Sequence, residues 1–173
     1  MKARQVIEPV AGASGTALFF ALVVHPLEEN QPGKTGEYDH TVEFDLPEIQ
    51  WIGRLCALLA RRRSPDTPWL EFTYEEFIRR FRVAVDRAGL KELKFTPYGL
   101  RHGGASHDAA ARRRALQDIQ KRGNWRSFAS VRRYEKSGRL ALELRKIPDA
   151  LRLRLLQLPP IVAARFEKFF GKR

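Results

Sequence analysis

Apolar residues change their spacing along this chain, and the change falls just before Pro47. Residues 16–25 (TALFFALVVH) form a nearly continuous apolar run, which reads as a buried strand. The stretch ahead of it, Ala11-Gly12-Ala13-Ser14-Gly15, reads as a loop. Residues 41–45 (TVEFD) alternate as a half-exposed strand does. The connector between them, PLEENQPGKTGEYDH, is polar and turn-rich, so the two strands are expected to pair as a hairpin with Lys34 near its tip.

From Pro47 onward the period is helical. Residues 47–62 set Ile49, Ile52, Leu55, Cys56 and Leu59 at helical spacing, and Ser64-Pro65-Asp66 ends the run. Thr73-x-x-Glu76 has the form of a capping box, with Phe77, Ile78, Phe81, Val85 and Ala88 along one face and Gly89 as the stop. Thr96-Pro97 starts a further helix that carries Tyr98, Leu100 and Arg101 ahead of Gly103-Gly104 and an alanine run. Residues 115–122 predict a short helix closed by Gly123, and residues 127–136 another closed by Ser137-Gly138. Residues 140–158 read as a Leu- and Arg-rich helix interrupted at Pro148, and Pro159-Pro160 opens a last basic segment. Strands first and helices after make the expected class α+β, mainly helical: a small antiparallel hairpin or sheet, then a helical bundle.

Composition narrows the classes. With 173 residues, 43% hydrophobic and 10% aromatic, the chain suits one folded domain rather than disorder. No apolar run approaches the about 18 residues that span a bilayer, and the N-terminus lacks the form of a secretory signal. The single cysteine, Cys56, excludes a disulfide framework and is expected to be a buried, inert thiol. Against 20 Asp+Glu stand 32 Lys+Arg, a net charge of +12, with an isoelectric point near 10.4. Such a surface attracts polyanions, nucleic acid first among them, because neutralised phosphates release condensed counterions.

Three places could carry chemistry. Lys34, between Gly33 and Gly36, could reach a phosphate or donate a proton; a solvated loop lysine is the plainer reading. Tyr98 and Arg101 lie three apart on one helix face with His102 next to them. An arginine there offers a planar fork of donors to a phosphate, though a surface arginine and a packed histidine would give the same letters. In GNWRSFASVRRYEK, Tyr134 follows Trp125 by nine residues, at the edge of an apolar stripe where a core tyrosine would also sit. No metal-ligand spacing, nucleophile elbow or dinucleotide fingerprint is present.

Taken in order, the hairpin Lys34, Tyr98-x-x-Arg101-His102, Gly123-x-Trp125 and Tyr134 resemble the catalytic domain of the tyrosine recombinase (phage integrase-like) family. That family carries a hairpin lysine, a His-x-x-Arg box usually followed by histidine, and a glycine-preceded His or Trp. Its nucleophilic tyrosine follows at this spacing. The resemblance runs from about residue 16 to about residue 136, through the words LRHGGAS and GNWRSFASVRRYEK. It implies that Tyr134 attacks a DNA phosphodiester and forms a 3′-phosphotyrosine, with no metal or other cofactor and no small-molecule substrate. Arg101 and Trp125 would then hold the phosphate, Lys34 would protonate the leaving 5′-oxygen, and Tyr98 and His102 would support them. It also implies double-stranded DNA as partner, a homo-oligomer on that DNA, no membrane, and an intracellular location with DNA.

Two positions depart from the family. Tyr98 stands where its box opens with histidine, and the only arginine before Lys34 is Arg4, whose context does not match the family's first arginine. The expectation is therefore an N-terminally truncated catalytic domain over 1–139, with a helical extension over 140–173, in a chain that resembles the family members of eukaryotic mobile elements more than the bacterial enzymes. The alternative is a non-catalytic basic helical module that binds nucleic acid or protein.

Overall fold

The structure, a computed structural model, describes residues 1–12, 14, 18–33, 36–135 and 137–170. The fold is mainly helical with one small antiparallel sheet, as expected. Two compact units make it up, Met1–Leu70 with Arg145–Arg173, and Glu71–Leu144.

The first unit holds the sheet, ordered β1 (Val6–Ile7), β2 (Ala21–Val24) and β3 (His40–Glu43), all antiparallel. Strand β1 has no counterpart in the sequence reading, because two residues carry no period. β2 pairs Ala21 with Glu43 and Val24 with His40, so the expected hairpin forms. Both of its strands are shorter than the apolar pattern suggests. Positions 16 and 17 lie outside the described residues, and Leu18–Phe20 precede the strand, although the Phe20 carbonyl still accepts the Phe44 N–H at 2.9 Å. On the other arm Asp39 is left-handed (φ 53°), and its carboxylate accepts the Leu27 N–H at 3.0 Å.

A 3-10 turn, Pro47–Ile49, leads into α1 (Gln50–Arg61). Its inner face is built of small residues: Gly53, Cys56, Ala57 and Ala60 are buried. Of these, Cys56 and Ala60 pack in a core with Ala3, Phe44 and Trp69, flanked by Ile49, Ile52 and Leu59. Gly53 is required by packing, since a β-carbon there would lie 2.4 Å from Phe20 Cβ. The N-terminal segment is strapped on by Ala3 N–H to the Thr67 carbonyl and Arg4 N–H to the Pro65 carbonyl, each 3.0 Å. Burial pushes the Cys56 thiol pKa up, which suits an inert thiol. Helix α7 (Asp149–Phe170) reaches α1 through Trp51 and Phe166, ring centroids 6.1 Å apart. Pro159 and Pro160 lie inside α7 and do not end it, contrary to the sequence expectation. Proline's fixed φ is helical; what is lost is the N–H that the carbonyls of Leu155 and Leu156 would have accepted.

The second unit begins with α2 (Tyr74–Arg87). Thr73 caps it by accepting the Glu76 N–H at 3.2 Å, while the Glu76 carboxylate takes Arg80 Nε at 2.9 Å instead of closing the box. Gly89 (φ 72°) ends it, with Leu90 N–H to the Val85 carbonyl at 3.0 Å and Gly89 N–H to Asp86 at 2.8 Å. Helix α3 (Pro97–Ala110), capped by Thr96, runs straight through Gly103-Gly104. Then come α4 (Leu116–Arg122), α5 (Phe128–Arg132) and a 3-10 turn, Arg133–Glu135. Ser137-Gly138 is not a stop but the start of α6 (Ser137–Arg145): serine favours helix starts, and a β-carbon at Gly138 would meet open space. Ala105, Ile119, Val131 and Tyr134 form this unit's core. Among the described residues no helix is long and apolar enough to cross a membrane.

Candidate active site around Tyr134

Five of the six candidate residues lie in the second unit and come together there. Helix α3 delivers Tyr98, Arg101 and His102; the turn after α4 delivers Trp125; the 3-10 turn after α5 delivers Tyr134. Lys34 lies outside the described residues, though the positions on either side of it are joined by Gly36 N–H to the Gly33 carbonyl at 2.8 Å. Arg4, in the first unit, is bound to Asp66 and lies 3.7 Å from Glu29.

At the centre, the Tyr134 hydroxyl is hydrogen-bonded to His102 Nδ1. Tyr134 is only 6% exposed, so the sequence reading of a core tyrosine is correct as far as burial goes. Its ring nonetheless ends on a titratable partner rather than on a backbone carbonyl. Tyr98 packs edge-on against His102 with centroids 4.3 Å apart. Trp125 fills the middle, 6.2 Å from His102 and 5.5 Å from Tyr134 by ring centroid.

Arg101 lies over Trp125 at 4.8 Å from Cζ to the ring centroid, and its Nη2 donates to the Gly123 carbonyl. The guanidinium is exposed, and its fork has five donors, so an anion can reach it. This meeting of α3 with the 123–125 turn depends on two backbone choices. Asn124 takes the left-handed conformation (φ 48°), which asparagine tolerates better than most residues. Gly123 closes α4 as its letter suggests, but at φ −83° it does so without the left-handed conformation that favours glycine. Its role is to make room: a β-carbon there would lie 1.7 Å from Trp125 Cζ3. The glycine before the tryptophan is thus a seat for the indole.

Sequence reasoning missed two supports. Gln120 Nε2 donates to the Trp125 carbonyl at 2.9 Å and holds the turn from below. Arg133 brings a second guanidinium to the tyrosine, Cζ 6.0 Å from its ring centroid, anchored by Nε to the Ser130 carbonyl at 2.7 Å. Its position directly before Tyr134 was the available signal.

Electrostatics give the pair a definite state. Desolvation pushes the His102 pKa down, and the nearby Arg133 and Arg101 charges add to the effect, so the imidazole is neutral near pH 7. Desolvation raises the Tyr134 pKa against the opposing pull of Arg133 and Arg101, so the phenol keeps its proton. With the histidine proton on Nε2, the phenol donates to Nδ1. A protonated acid thus faces a neutral base, under two guanidiniums.

No family model matches the chain, and no curated protein or solved structure matches it.

Proposed function

We propose that this chain is a tyrosine recombinase-like DNA strand transferase, with Tyr134 as nucleophile and His102 as the base that takes its proton. The observation that carries the reading is the hydrogen bond between the Tyr134 hydroxyl and His102 Nδ1 beside Arg101 and Trp125. A phenol with a raised pKa is a weak nucleophile at neutral pH and needs a base in hydrogen-bond reach. His102 takes over the place that the resemblance would give to a histidine at position 98.

In the proposed step Tyr134 Oη bonds to phosphorus while its proton passes to His102 Nδ1. The bond from phosphorus to the 5′-oxygen breaks, and that oxygen takes a proton, a role the resemblance gives to Lys34. Arg101 stabilises the charge that builds on the non-bridging oxygens. The phosphodiester energy is kept in the 3′-phosphotyrosine, so rejoining needs no nucleotide cofactor. Double-stranded DNA is the proposed partner, in line with the +12 net charge.

A second reading rests on the burial of Tyr134 at 6% exposure in the core of its unit. On it, the chain is a non-catalytic basic module that binds nucleic acid. A nicked suicide DNA duplex separates the two. Under the first reading a covalent protein–DNA adduct forms, disappears in Tyr134→Phe, and in His102→Gln falls by about 100-fold or more in rate. Binding without any adduct supports the module and sinks the enzyme.

A further inference from the structure

A second feature of the same unit lies apart from the Tyr134 cluster. The C-terminal half of α2 and residues 91–96 enclose a cleft of about 480 Å³ lined by Arg82, Val83, Asp86, Lys91, Lys94 and Phe95. Three cations edge it. Its apolar wall is unusually bare, for Val83 is 41% and Phe95 37% exposed, and no residue of α2 is buried. Lys94 sits there at φ 48°, a conformation that costs any residue with a β-carbon.

A simple anion site would need the cations but not the exposed ring. An apolar docking groove would need the ring but not Arg82, Lys91 and Lys94. The two together match one unit of a nucleic acid strand, a phosphate for the cations and a base for the aromatic face. The volume lies in the usual range for a site that holds one such unit. Asp86, an acceptor on the same wall, can take an exocyclic amino group of a base and disfavours a second phosphate. A base can lie on Phe95 only if it is unpaired.

We infer that this cleft is a subsite for an unpaired nucleotide of a single DNA strand, with the base on Phe95 and the phosphate on Lys91, Lys94 and Arg82. The inference does not need the strand-transfer reading, since no residue of the Tyr134 cluster lines the cleft.

Fluorescence anisotropy with the full chain tests it, using a labelled twelve-nucleotide single strand without self-complementarity and the matching blunt duplex. Phe95→Ala is expected to weaken single-strand binding about tenfold, and Phe95→Tyr to restore it, because stacking is tolerant of ring type. Lys91→Ala with Lys94→Ala should flatten the plot of log K against log salt by about 0.7 for each phosphate no longer neutralised. Equal losses for Phe95→Ala and Phe95→Tyr overturn the proposal, as does an unchanged salt slope in the lysine variant. So does the same Phe95→Ala loss on duplex. A free nucleoside monophosphate that displaces the strand in wild type but not in Phe95→Ala identifies a small-molecule pocket instead, and also overturns it. Should Phe95→Ala fail to fold by circular dichroism, the salt slope of the lysine variant decides.

Discussion

Helices α1 and α2 promise the same thing in sequence and deliver different surfaces. Each places apolar residues at helical spacing on one face, and each has polar residues on the other. In α1 the promise is kept: Gly53, Cys56, Ala57 and Ala60 are buried, and a β-carbon at Gly53 would strike Phe20. In α2 no residue is buried. Its rings lie against one another instead, with Phe77 6.2 Å from both Phe72 and Phe81 by centroid. Small residues let a helix approach its neighbours closely, whereas a face of phenylalanine, valine and arginine leaves room for something else. Amphipathicity announces that a face has a partner; side-chain size decides whether that partner is already part of the fold.

Three measurements bear on that contrast. The largest effect belongs to α1: Gly53→Ala should cost about 1–3 kcal/mol by overpacking against Phe20, read as a lower midpoint in urea. A stability equal to wild type would mean that α1 packs no more tightly than α2. A smaller effect comes from the half-exposed His102, where solvent screens the charge. Its folded pKa lies below the ordinary 6.5, so the unfolded chain takes up the proton first. Stability should therefore fall as pH drops below about 6.5, and His102→Gln should flatten that part of the stability–pH curve. An unchanged curve would mean that the second unit's core does not hold the imidazole neutral. The smallest effect is reserved for α2 itself. Val83→Ser should shift stability by no more than about 0.5 kcal/mol, because the side chain is 41% exposed. A drop above about 1.5 kcal/mol would show that the α2 face is packed after all.

Much of the fold was legible because local signals and tertiary packing agreed. Thr73 and Thr96 cap the helices that their letters announce, and Gly89 stops α2 in the left-handed conformation that favours glycine. Where reading failed, one letter had two physical uses. Ser137-Gly138 can end a helix or begin one, and Pro159-Pro160 can open a segment or ride within a long helix. Strand β1 is too short to leave a pattern. In the site, order and spacing were enough to name Tyr98, Arg101, His102, Trp125 and Tyr134, which do converge. They were not enough to give the roles within the cluster. The bond between His102 and Tyr134, and the approach of Arg133, depend on how α3 meets the turn after α5, which no local spacing encodes.

Gly123 has a genetic consequence. It takes no part in any chemistry, yet the indole of Trp125 occupies the space where any side chain would begin. Every missense change of a glycine codon adds at least a methyl group. Each would push the indole off its seat and disturb Arg101, His102 and Tyr134 together. A geneticist who mapped loss-of-function alleles would find position 123 as intolerant as Tyr134, although it has no side chain to offer.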